Sequence, residues 1–191
     1  MNKFRFPLAL ALTLLAGSAS AHPGHETVSF MTGFGHPLGG LDHLLAMLAV
    51  GLYAAHQPAR VRWVLPATFV AAMLGGALLS AGGVALAGVE SGIAASVLVL
   101  GLLIACVVRM PLGVSVPLVG LFALLHGHAH LSEMEGSAVL TYIAGFMGAT
   151  MLLHALGFAV ARMAPATRAG ARLQRLAGGA IAAAGAVMLG A

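Results

Sequence analysis

Two short stretches bring imidazoles and carboxylates into apolar surroundings: His36-Pro37-Leu38-Gly39-Gly40-Leu41-Asp42-His43, and His126-Gly127-His128-Ala129-His130 followed by Glu133. Imidazole nitrogen and carboxylate oxygen together suit first-row divalent cations such as nickel, cobalt, zinc or iron(II), and suit copper(I) less well. On a helix His126 and His130 stand at i and i+4, a two-point chelate, and Glu133 extends the stripe at i+7. His43 follows His36 by two turns, which on one continuous helix sets it ~10 Å deeper, with Asp42 turned ~100° away from it. An ionised aspartate within a bilayer costs on the order of 3 kcal/mol unless a cation, a partner or water meets it. The pattern therefore predicts a metal site made of His36, Asp42, His43, His126, His130 and Glu133.

The remaining histidines rank lower as ligands. His128 points away from the stripe, and His154, in a later apolar segment, is either a second station on a path or a ring bonded to a backbone carbonyl. His22-Pro23-Gly24-His25 is a metal-capable tail, although Pro23 lacks the amide proton that the common amino-terminal chelate gives up. Met47, one turn beyond His43, reads as core. Tyr142 reads as support behind the ligands, and His56 as a helix end.

These residues must be positioned by membrane-spanning helices. The chain has 191 residues, 60% hydrophobic and 7% charged, against about 25% charged in soluble domains. The expected fold is an all-α integral membrane protein, six transmembrane helices in a compact bundle after a cleavable signal peptide. The apolar segments lie near 37–55, 63–87, 92–108, 113–131, 137–161 and 174–190. Lys3 and Arg5, the apolar run Leu8 to Leu15 and Ala19-Ser20-Ala21 read as a secretory signal over residues 1–21. Residues 22–36 then form a periplasmic tail and residues 37–191 the membrane domain. With the mature N-terminus outside, all seven arginines beyond the signal fall on the cytoplasmic side, as the positive-inside rule requires. Glu26, Glu90, Glu133 and Glu135 fall on the other. Both histidine motifs then occupy the external half of the bilayer. Basic residues confined to segment ends argue against nucleic acid as a partner, and one cysteine, Cys106, excludes an intrachain disulfide. Abundant glycine predicts close helix packing in place of a wide pore.

His36, five intervening residues and Asp42-His43 in the first span, with His126-Gly127-His128-Ala129-His130 and Glu133 in the fourth, resemble the two signatures of the HupE/UreJ family. That family comprises small bacterial membrane proteins, linked to hydrogenase or urease maturation, that act as nickel or cobalt permeases. The resemblance extends over the whole mature chain and implies the same six residues as metal ligands. Two positions depart from the family pattern: Leu125 stands where phenylalanine is frequent, and Leu131 where glycine is.

The expected function is uptake of Ni²⁺, with Co²⁺ as the alternative, from periplasm to cytoplasm across the bacterial inner membrane. The metal is cargo, and no prosthetic group is expected. The chain contains no phosphate-binding glycine loop. A membrane potential suffices in principle, since a dication gains about 4.6 kcal/mol per 100 mV on entry. A membrane-embedded metal hydrolase or hydroxylase, and a metal-binding chaperone or sensor that never transports, are the competing readings. The oligomeric state is left open.

Overall fold

The computed structural model describes residues 29–59, 61–134 and 138–191. The signal-peptide reading of residues 1–21 and the tail histidines His22 and His25 lie outside the described residues. Among those described there are seven helices and no strand: α1 (Phe30–Gly39), α2 (Leu41–Ala55), α3 (Val64–Ala81), α4 (Val89–Ala105), α5 (Leu112–Ser132), α6 (Val139–Met163) and α7 (Arg168–Gly190). Four of them, α3, α5, α6 and α7, are long and apolar enough to cross a bilayer, while α4 is a shorter apolar helix. At 17 residues it extends ~26 Å.

The first apolar segment is not one straight helix. α1 and α2 meet at Gly40 with a bend of 86°. A capping box starts α1: the Ser29 hydroxyl accepts from the Thr32 amide, and Thr32 Oγ1 accepts from the Ser29 amide. Pro37 sits inside α1 and so has no amide proton to bond the turn before it. Gly40 then adopts extended backbone angles as the N-cap of α2. The continuous two-turn stripe from His36 to His43 is thereby replaced by two histidines on separate helices facing each other across a corner.

Local capping also moves the other boundaries. α3 stops at Ala81, short of residue 87, because Gly82-Gly83 follow and Gly83 takes a positive φ of 76°. α7 begins six residues before the apolar run, at Arg168, because Thr167 caps it by accepting from the Gly170 amide. Averaged hydropathy discounts Arg168, Arg172 and Arg175, whereas a cap acts within one turn.

The helices pack as α3 on α5, α4 on α7, and both α1 and α2 on α6. Glycines at the crossings let backbones touch. A β-carbon on Gly127 would meet the Met73 carbonyl, and one on Gly76 would meet that of Leu124, so α3 and α5 clasp reciprocally. Gly51 and Gly157 do the same for α2 and α6, against the carbonyls of His154 and Leu48. Met47, Phe69, Met73 and Phe146 are fully enclosed between these pairs.

Candidate metal centre

The centre assembles where the first turn of α2, the last turns of α5 and the returning end of α1 come together. Asp42 occupies the first turn of α2, where the positive end of the helix dipole favours a carboxylate. Its Oδ1 accepts from the amide of His43 at 2.7 Å and lies 2.9 Å from His43 Nδ1. A carboxylate acceptor places the ring proton on Nδ1 and leaves Nε2 with a lone pair free for a cation. His126 is oriented in the same way by a backbone group, its Nδ1 donating to the Phe122 carbonyl at 2.9 Å.

Nitrogens of His36, His43 and His130 converge, and His126 packs beside His43 outside that group. His43 Nε2, His126 Nε2 and both nitrogens of His130 are buried without a hydrogen-bond partner. Ring centroids are 4.5 Å apart for His43 and His130, 4.9 Å for His43 and His126, and 4.8 Å for His36 and His130. One ligand atom from each of His36, His43 and His130 lies within 4.8 Å of the other two. Two nitrogens on one ion at ~2.1 Å each are at most ~4.2 Å apart, so a small inward movement of the rings makes a three-imidazole cradle. At the mouth, His36 Nε2 is 3.3 Å from Glu133 Oε2, and Glu133 is the C-cap of α5. Exposure falls from the Glu133 side chain at 48% through His36 at 27% to His126 at zero. The ligand types thus run from an exposed anion to enclosed neutral rings.

Aromatic side chains hold the cradle. The Phe146 ring stacks on His130 at 4.6 Å with planes 9° apart, and Tyr142 packs edge-on to both Phe146 and His36. Tyr142 therefore stands behind the ligands as the sequence led us to expect. Gly127 explains the His-Gly-His-Ala-His pattern: the residue between the first two histidines must pass the Met73 backbone, and a side chain there would collide.

Two of the lower-ranked histidines are not in this cluster. His128 turns outward, and its Nε2 bonds the Val84 carbonyl at 2.8 Å in the connection from α3 to α4. His154 packs against Phe69, whose ring centroid is 5.1 Å from His154 and 5.5 Å from His126. His56 anchors a helix end, bonding the Leu52 carbonyl and Gln174. Met47 is core, with the Thr150 hydroxyl 3.2 Å from its sulfur.

Sequence reasoning assigned Glu90 only to a side of the membrane. In the structure it shares with Asp42 a cavity of about 280 Å³, also lined by Ser91, Ala94, Met188 and Leu189. This cavity joins the start of α2, the start of α4 and the end of α7. A glutamate in the first turn of a helix was the available signal, but nothing local points it at Asp42. Phe69 and Phe146 likewise carry no signal in an apolar run.

The family described as HupE / UreJ protein matches residues 10–188 of the chain. Protein HupE of Rhizobium leguminosarum bv. viciae is 42% identical over 190 residues, covering 99% of each chain. No solved structure matches. With its two histidine motifs brought to one place and the match extending over nearly the full length, the chain belongs to the HupE/UreJ family.

Proposed function

We propose that the protein is a permease that takes up a divalent transition metal, Ni²⁺ with Co²⁺ as the alternative, across the bacterial inner membrane into the cytoplasm. The observation that carries this reading is the meeting of His36, His43 and His130 beside Asp42, with unpartnered buried nitrogens on His43, His130 and the neighbouring His126. Unpaired buried polar atoms are costly, and a cation that accepts their lone pairs relieves the cost. Membership of the HupE/UreJ family supports the same cargo.

The proposed topology counts bent α1–α2 as the first of six spans, with the mature N-terminus periplasmic after cleavage of residues 1–21. Its support is charge placement. If the helices alternate in direction, Arg62, Arg109, Arg162, Arg168, Arg172 and Arg175 lie at one end, and Asp42, Glu90 and Glu133 at the other. The His22/His25 tail and Glu133 draw cations to the mouth. His36 displaces part of the hydration shell. Asp42 supplies the negative charge that offsets the dication, and at the same time holds His43 with Nε2 inward. His126 and His130 complete the ligand set. The membrane potential drives entry, and the link to a nickel-enzyme maturation system is the use to which the ion is put.

Purified protein in sealed liposomes with an inside-negative potential tests this. Radioactive nickel accumulates in vesicles carrying the wild-type chain and falls at least about tenfold with His43→Ala. Equal flux through His43→Ala and wild type sinks the proposal. Tight nickel binding with no accumulation would favour a chaperone or sensor instead.

A further inference from the structure

His154 is 3% exposed, and neither of its ring nitrogens has a hydrogen-bond partner. It is the one histidine outside the centre, among the described residues, in that condition. His56 and His126 show the usual solution on a helix, donation from Nδ1 to the carbonyl four residues before. The same acceptor is open to His154 at Thr150, yet its ring instead stands edge-on to Phe69, the planes 89° apart. A neutral imidazole carries an N–H and a lone pair, and enclosing both without a partner is unfavourable unless something else binds them.

Its surroundings supply room and further donors. His154 lines a groove of about 470 Å³ with Trp63, Pro66, Val70 and Met151, between α3 and α6. One turn back on α6, the fully buried Thr150 directs its hydroxyl at two thioethers, Met47 Sδ at 3.2 Å and Met73 Sδ at 3.6 Å. His154 follows Phe146, the residue stacked on His130, by eight positions, which places it ~12 Å further along α6. The Phe69 ring packs against both His154 and His126, its centroid 5.1 Å from the first and 5.5 Å from the second.

We infer that His154 is an inner station for the transported dication, reached from His126 by displacement of the Phe69 ring. The inference rests on the permease reading and extends it to the half of the path beyond the outer centre. The outer centre combines imidazoles with Asp42 and Glu133, whereas His154 has only uncharged donors nearby. An ion held there without a carboxylate is held less tightly, and conduction requires an exit step of that kind.

Equilibrium dialysis of Co²⁺ against the detergent-purified full chain, in a His22→Ala/His25→Ala background that removes the tail ligands, separates the two stations. Wild type binds one tight equivalent and a second at least tenfold weaker. His154→Gln and His154→Phe, one polar and one apolar occupant of the same space, both lose the weaker equivalent and keep the tight one. His43→Ala loses the tight one and keeps the weaker. Co²⁺ entry into vesicles falls at least tenfold in both His154 variants. A wild type that binds a single equivalent, or a folded His154 variant that still binds two, overturns the inner station. A His43→Ala protein that keeps the tight equivalent counts against the outer centre alone, because the His154-dependent equivalent is read independently of it.

Discussion

Oδ1 of Asp42 lies 2.7 Å from the amide nitrogen of His43 and 2.9 Å from its Nδ1, so one carboxylate oxygen fixes both the backbone and the ring of the next residue. A β-carbon on Gly40 would stand 2.8 Å from that same oxygen, so a larger residue at the corner between α1 and α2 would have to displace the carboxylate. The polar pair at the head of an apolar helix is therefore tolerated through its own contacts: a helix N-terminus, an amide and an imidazole all stabilise the carboxylate. Asp42→Asn keeps the shape and removes the charge that makes His43 a strong donor. We expect the apparent affinity for nickel to fall at least about tenfold, measured as KM for uptake into vesicles. An unchanged KM would mean that the carboxylate does not tune His43.

His128 and His130, two residues apart, should behave oppositely. His128 bonds the Val84 carbonyl and faces away from the cluster, so His128→Ala should leave nickel affinity unchanged while lowering stability by about 1 kcal/mol. His130→Ala removes a ring lying between His36, His43 and Phe146 and should abolish uptake. Thermal unfolding in detergent together with vesicle uptake distinguishes them. Loss of metal binding in the His128 variant at normal stability would place that ring in the centre.

Gly127→Ala should separate packing from ligation. Its methyl group would run into the Met73 backbone and force α3 and α5 apart, costing about 1–3 kcal/mol. Gly113 has open space where its β-carbon would be, so Gly113→Ala on the same helix should be neutral or slightly stabilising. Comparable melting temperatures for the two variants would show that the α3–α5 crossing has slack.

Acid should weaken uptake. A proton and a metal compete for the same imidazole lone pair, and only the neutral ring binds the metal. Acidification therefore raises KM, through His36 at the part-open mouth before the enclosed rings of His126 and His130. Initial uptake rates at several nickel concentrations and a clamped membrane potential give this directly. A KM that stays flat down to about pH 4 contradicts ligation by histidine.

The sequence by itself determined the apolar helical architecture, the six candidate ligands and their grouping into two motifs, because hydropathy, residue chemistry and the i, i+4 relation are all local. Gly39-Gly40 stands at the start of the first segment, but periodicity assumes a continuous axis. The 86° bend that folds His36 back over His43, made at Gly40, emerges only in the tertiary structure, where α1 and α2 both pack on α6. The same limit hid the cavity shared by Glu90 and Asp42, the Phe146 ring on His130 and the Phe69 ring against both His126 and His154. Each joins helices far apart in the chain, where apolar runs look alike until backbone contacts at glycines such as Gly127 and Gly51 set which faces meet. Residue types decide what a site can bind, whereas the crossing of helices decides which residues share it.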